Sequence, residues 1–462
     1  MEDDLHRSIE IIEMEDNNKH VQGGIQTTET GIRSHASDIY STIDQEVSMS
    51  TFRKVCFRPT NKSSPYIFNV KSPDEYSYVI PKETRLYVKC RVLRDDGANI
   101  QAADNVSIVN MFPTSLWKHI DIEVHGKPIT WLQNDNAHYK AYLETVLSYG
   151  EDARKSHLAS YGFCMDTGAH FDAVAPAANG VFANAGFGER ALLCQNSRYM
   201  EFKTLVHSDF LQSERAFPRN MDFTISFTRE ADAFSILTNT LIAAEQFKIE
   251  IADIRLYVHF VQMHEQIVRQ HKILSTKTKA KIFINQTVVK SYSFAPNVLD
   301  LGINNMFIGD SLPKSILIGI VRQSSFLGDQ NTNPFRFQPF DMRTAYIEYC
   351  GVTLPPETYK PNFPDGIYME MFRDFFDNTG VGSSDFGNCV NKTTFADGMC
   401  LMAFDFSPDK CNGFHYHKKV KGTIHLQIFL RAAVAYSLNV IVFGVYNTVA
   451  TIDEYFNMEL EM

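Results

Sequence analysis

The chain has 462 residues, of which 44% are hydrophobic and 21% charged, with 35 Phe and 20 Tyr; such a mix is globular and long enough for two or three domains, each with its own core. The formal net charge is −10, yet residues 1–50 hold 11 Asp/Glu against 3 Lys/Arg, while the rest of the chain holds 43 against 41. An acidic start and a near-neutral body exclude a basic arm that neutralises phosphates, and no apolar run is long enough to span a bilayer as a helix.

Met1-Glu2-Asp3-Asp4 reads neither as a secretory signal or organelle presequence nor as a myristoylation site. The eight cysteines, at 56, 90, 164, 194, 350, 389, 400 and 411, contain no CxxC pair. This fits reduced thiols in a cytosolic or nuclear chain better than a disulfide framework. Residues 1–50 read as an acidic N-terminal arm. Leu5, Ile9 and Ile12 would share one face of a short helix, and the remainder is polar. The expectation is an arm that is flexible in the free chain and orders against a neighbouring subunit.

From residue 51 the signals are mostly strands. Residues 64–70 form a short candidate. Ile80-Pro81-Lys82 opens a longer one, in which Leu86, Val88, Cys90 and Val92 alternate with Arg85, Tyr87, Lys89 and Arg91, so one face is buried. Residues 117–124 give the next strand, ending at the turn His125-Gly126-Lys127-Pro128. A helix follows, with Asp135 as candidate N-cap, Tyr139, Tyr142, Leu143, Val146 and Leu147 on one face, and Gly150 as its stop. Residues 157–193 lack periodicity and are expected to form a long loop. Strands return at 200–206, 222–227 and 251–261, and 264–274 is a connector.

The second half repeats this order. Leu312-Pro313-Lys314 opens a strand, and Ile347-Glu348-Tyr349-Cys350-Gly351 ends the next at a turn. Asp365 is the candidate cap of a helix with Tyr368, Met371, Phe372, Phe375 and Phe376 at the same five spacings, stopped by Gly380. A loop at 379–398 and strands at 423–428 and 438–446 complete it. Pro81 and Pro313 are offset by 232 positions, and Gly126 and Gly351 by 225, a period far too long for a solenoid. The pattern predicts a duplicated, mainly β fold: two tandem eight-stranded jelly rolls, each with a short helix and a long loop. The expected divisions are an arm at 1–50, a first jelly roll at 51–275 and a second at 276–462.

The motifs offer little chemistry. In Cys411-x3-His415-x-His417 the two histidines would face the same way on a strand, but Lys418, Lys419 and Lys421 follow, no Glu arrives, and the first half has no counterpart. His264-Glu265 begins like a zincin helix, but Val268 stands where the second histidine belongs and the next histidine is His271. Gly186-Phe187-Gly188 lacks the third glycine of a dinucleotide loop, with Ala191 in its place. The sequons at Asn61, Asn105, Asn285 and Asn391 carry no weight without a secretory signal. Lys272, Lys277, Lys279 and Lys281 read as a solvated face or a weak contact with packaged nucleic acid or an acidic arm. No catalytic, cofactor-binding or metal-binding residue is assigned, and no cofactor is expected.

Several stretches resemble a known family. Thr114-Ser115-Leu116-Trp117, Asn134-Asp135-Asn136, the run from Tyr142 to Gly150, Asn333-Pro334-Phe335, Phe404-Asp405 and Ile452-Asp453 are similar to the major capsid protein of Maverick/Polinton elements and the related adintoviruses. The resemblance covers about residues 50–460 and leaves the acidic arm unmatched. It implies a double jelly-roll virion protein without enzymatic activity. It further implies trimerisation into pseudo-hexagonal capsomers that build an icosahedral shell around double-stranded DNA. The implied partners are the chain itself, a single jelly-roll penton protein and DNA enclosed without sequence-specific binding. The implied location is the virion capsid, after synthesis in the host cytoplasm, with the nucleus as a place of assembly. The rival reading is a metal-dependent tandem jelly-roll enzyme of bicupin or copper monooxygenase type, which metal analysis would separate from a capsid protein.

Overall fold

We describe residues 46–461 of a computed structural model, other than 102–103, 130–135, 177–179, 220, 239–246, 308–310 and 411–418. The face formed by Leu5, Ile9 and Ile12, the candidate cap Asp135 and the Cys411/His415/His417 cluster lie outside the described residues.

The first half contributes β1 (Met49–Phe57), β2 (Tyr66–Val70), β3 (Ser77–Arg94), β4 (Val106–Ile108), β5 (Trp117–Val124), β6 (Lys127–Pro128), β7 (Met200–Leu205), β8 (Phe223–Arg229), β9 (Ile236–Thr238) and β10 (Phe247–Met263). The second contributes β11 (Ala280–Phe294), β12 (Ser315–Arg322), β13 (Met342–Tyr349), β14 (Val352–Tyr359), β15 (Leu401–Asp405), β16 (Ile424–Leu430), β17 (Leu438–Ile452) and β18 (Met458–Glu461). The helices of ten or more residues are α1 (Ala137–Ser148), α2 (Ala185–Cys194), α3 (Glu265–Ser275) and α4 (Met369–Asn378).

One sheet of the first half runs β1-β10-β3-β7 and the other β2-β8-β5-β6, with β4 and β9 paired separately. The second half repeats both orders. Its first sheet runs β11-β17-β12-β15, with β18 beside β17, and its second β14-β13-β16. Residues 299–306 complete the second sheet, since Leu301 and Ile303 donate backbone hydrogen bonds to Ile428 and Leu426. Counted within each half, the paired sheets read 1-8-3-6 and 2-7-4-5, the strand order of a jelly roll. The protein is thus mainly β, a tandem double jelly roll.

Equivalent turns are built alike. Val124 pairs with Lys127, and Tyr349 with Val352, across two-residue hairpins. The central residues all have positive φ: 50° and 76° at His125 and Gly126, 51° and 83° at Cys350 and Gly351. Such loops match the right-handed twist of their strands, and glycine takes the second position without a Cβ clash.

The structure corrects several sequence expectations. Strand β3 begins at Ser77, three residues before Ile80. Helix α1 is preceded by Asn136, with φ 71° and no side-chain cap. Helix α4 starts at Met369 after an uncapped Tyr368, because Asp365 accepts from Asn362 Nδ2 (2.6 Å) within the preceding 362–367 turn. The 157–193 loop contains α2, whose cap Asn184 accepts from the Phe187 amide. The 379–398 loop contains the short helix Lys392–Ala396, held by a capping box between Asn391 and Thr394. The 264–274 connector is helix α3.

Leu86, Val88, Cys90 and Val92 of β3 pack with Ile122 of β5 and with Phe223, Ile225 and Phe227 of β8 in the first core. That core also takes in Ile282 and Ile284 of β11, Ala450 and Ile452 of β17, and Met458. The second core, built on β12, β15, β16 and β17, takes in Tyr139, Tyr142, Leu143 and Val146 of α1. Each half therefore lends side chains to the other's interior, each fully buried Val, Leu, Ile or Met contributing about 1.5–3 kcal/mol.

Candidate assembly interface

Helix α1 is buried on nearly every side, whereas α4, at the same place in the second half, buries only Met371 and Phe375. The difference arises because α1 lies between the halves. The Tyr142 ring stacks on Phe335 with centroids 4.1 Å apart and planes 5° from parallel. Tyr139 Oη donates to the Pro334 carbonyl oxygen (2.8 Å), and its ring meets Phe326, Phe335 and Phe337. Two stretches of the sequence resemblance, Tyr142–Gly150 and Asn333-Pro334-Phe335, are thus brought together at this junction, about 190 residues apart in the chain.

A buried polar clamp surrounds the stack. Arg190 and Asp166 have wholly buried side chains 2.5 Å apart. Asp166 also accepts from Asn184 Nδ2 (2.8 Å) and from Asn333 Nδ2 (3.0 Å). Arg190 donates from Nε to the Ile108 carbonyl (2.7 Å). Alongside, Arg336 forks onto Asp397 with bonds of 3.0 and 2.7 Å and pairs with Asp172, which accepts from the Asn333 amide (2.7 Å). Asp166 and Asp172 come from the first-half loop, and Asn333, Arg336 and Asp397 from the second half.

A second cluster sits at the other side of α1. The Lys140 ammonium, 1% exposed, pairs with Asp209 and lies 3.7 Å from Glu144. Glu144 also receives His207 Nδ1 at 2.8 Å and Gln212 Nε2 at 2.9 Å, and Asp209 accepts from the Thr287 amide of β11 at 2.9 Å. Burial disfavours the Glu144 carboxylate, but the Lys140 charge and the bonds from His207 and Gln212 outweigh it and hold the group below its ordinary value. Burial keeps the Asp209 carboxyl above its ordinary value against the pull of Lys140. These charges are matched inside the protein, as buried ions must be.

Two of the motifs weighed for chemistry have structural roles. His271 Nδ1 lies 3.1 Å from Tyr78 Oη, and Val268 packs against a small cluster of Tyr78, Val261 and Met263. Gly186 allows α2 to approach the 164–165 backbone, since a Cβ there would meet the Met165 oxygen at 2.4 Å. Among the described residues no group of three or more His, Cys, Asp or Glu is placed to hold a metal ion. Among them, too, no helix is long and apolar enough to cross a membrane. The sequence reading did not find the clamp as a cluster. Of its members only Asn333 lay in a stretch the sequence singled out; Asp166, Arg190 and Arg336 carry no pattern that marks them.

This architecture defines a class, the tandem double jelly-roll fold. Among solved structures, the chain resembles one from the Sputnik virophage with a TM-score of 0.62 at 12% identity, covering 96% of this chain and 95% of that one. The Faustovirus major capsid protein follows at 0.53 and 8%, covering 97% and 98%. PBCV-1 VP54, fitted into a reconstruction of Sputnik, gives 0.52 and 10%, covering 92% and 99%. No protein-family model matches. One curated relative, uncharacterized protein F54H12.2 of Caenorhabditis elegans, is 21% identical over 352 residues, which is 72% of this chain and 78% of that protein.

Proposed function

We propose that the chain is the major capsid protein of a Maverick/Polinton-like element or an adintovirus relative, trimerising into pseudo-hexagonal capsomers of an icosahedral shell that encloses double-stranded DNA. The observation that carries this reading is the repeated strand order. Three chains with two like domains each present six like wedges, so a threefold assembly packs as a sixfold tile. The similarity to capsid chains over nearly the full length supports the same role. We take the acidic arm as 1–50, the first jelly roll as 51–275 and the second as 276–462. The long loops near 157–193 and 379–398 interlock at the outer end of the capsomer, and the arm ties neighbouring capsomers together on the inner side. A single jelly-roll penton protein fills the vertices. The chain works in the virion capsid, after synthesis in the host cytoplasm and assembly there or in the nucleus, and performs no catalysis.

Light scattering on purified protein should give three chain masses, and negative-stain images should show hexagonal plates with threefold symmetry. A stable monomer at high concentration would overturn the assignment. Stoichiometric iron, copper or zinc in protein purified without chelator would favour the enzyme reading instead.

A further inference from the structure

The first sheets of the two halves share one strand order but have opposite outer faces. In the second half, Ile316, Ile318 and Ile320 point inward with Gly444, which lies against Phe307. The outer face therefore carries Leu317, Gly319 and Val321 beside Ile441 and Phe443, and it is apolar and buried. It is sealed within the chain. Phe337 lies on Gly319, α1 packs beside β11, and these residues join Tyr139 and Tyr142 in one cluster.

In the first half the same face carries Tyr87, Lys89 and Arg91 on β3, Arg255 and Tyr257 on β10, and Lys203 on β7, all at least partly exposed. Its cations lie over its rings: Arg255 is 5.1 Å from the Tyr87 centroid and Lys203 4.5 Å from that of Tyr257. Lys89 and Arg91 both approach Tyr199, at 5.4 and 4.8 Å. Partial neutralisation comes from Glu201, at 3.2 Å from Lys89, from Glu250, at 2.9 Å from Arg91, and from Asp253, which pairs with Arg255. Tyrosine and arginine presented together on one surface are the composition of interface anchors, not of plain solvated faces.

We infer that this basic-aromatic face receives residues 364–387 of a second copy of the chain, the segment of the second half that stands where α1 and its loop stand in the first. The inference rests on the trimer reading above and names its contact. Residues 364–387 hold five acids, Asp365, Glu370, Asp374, Asp377 and Asp385, against Arg373 alone. The segment also leaves Ile367, Met369 and Phe386 exposed, at 62%, 44% and 81%. Acidic charge flanking apolar side chains complements a sheet of arginine, lysine and tyrosine. Within the chain, the segment after strand five of the first half seals the first sheet of the second. Repeating that step from copy to copy covers the remaining open sheet, and threefold closure leaves none over.

The test uses the full chain in sedimentation velocity. The double variant Lys203→Glu/Arg255→Glu should raise the trimer dissociation constant about 30-fold or more while keeping the near-UV circular dichroism of the parent. Adding Glu370→Lys and Asp385→Lys to that variant should restore the trimer. If the parent is a trimer and the double variant trimerises equally well, this contact is wrong and the trimer reading stands. If the variant keeps the trimer but loses retention of duplex DNA, the face belongs to nucleic acid and the contact is again wrong. A monomeric parent removes the trimer reading itself. Should the double variant misfold, hydrogen exchange on the unmodified chain decides: trimer formation should slow exchange across residues 85–91 and 364–387, and unchanged rates in both overturn the contact.

Discussion

Asp166 and Arg190 make the narrowest point of dependence in the molecule. Both side chains are fully buried, and among the described residues each is the other's only ion-pair partner, at 2.5 Å. Arg190→Met should lower stability by about 3–5 kcal/mol, because it strands a carboxylate in the interior, and denaturant titration would measure it. Gly186→Ala should destabilise by about 1–3 kcal/mol in the same assay, since the new methyl meets backbone rather than a movable side chain. Glu144 governs part of the acid response. Its folded value lies below the unfolded one of about 4.3. Its stabilisation is therefore complete above that unfolded value and is lost as pH falls through the folded one. Asp209 is shifted upward and its contribution runs the opposite way, partly masking the effect. Melting temperatures between pH 7 and pH 3.5 should fall less steeply for Glu144→Gln than for the parent chain. None of these residues was legible from sequence. A buried ion pair between a loop and a helix has no periodicity, and its partners are identified only when the fold brings them together.

Strands and turns were far more legible. Residues 117–124 match β5 because Ile120, Ile122 and Val124 alternate with polar residues and leave one face buried, while a register shift between Trp117 and His119 breaks the alternation at the start. The His125-Gly126 and Cys350-Gly351 hairpins were readable for the same reason that they form, a glycine where φ must be positive. Replacing Gly351 by Ala should cost about 1–2 kcal/mol, seen as a lower melting temperature. Helix α2 escaped detection because Ala185-Gly186-Phe187-Gly188 has low helix propensity. Tertiary contact overrides that propensity, with Asn184 capping the first turn and the glycines allowing close approach. The five-residue apolar spacing found α1 and α4 but could not tell their fates apart. One is enclosed between halves, and the other keeps a charged outer face. Tyr142→Ala should cost about 3–5 kcal/mol through loss of the stack on Phe335, while Tyr139→Phe, which gives up a single hydrogen bond to Pro334, should cost about 0.5–1.5.

For the molecule as a whole, the duplication was visible in sequence as matched turns and helices, and it is realised as matched sheet orders in both halves. What sequence did not reveal is how far the halves are merged. Removal of residues 1–48 should leave trimers intact but abolish their assembly into shells, which electron microscopy of assembly reactions would score; unchanged shells would take the arm out of the account. The exchange of core residues between halves has a consequence for biosynthesis. Ile282, Ile284, Ala450, Ile452 and Met458 complete an interior whose other buried residues lie before residue 264. A nascent polypeptide that has emerged only through its first half still lacks those plugs, and the later ones come only with the last strands of the second jelly roll. Both sandwiches must therefore be made before the earlier one can close, and neither half can be split off and expected to fold alone.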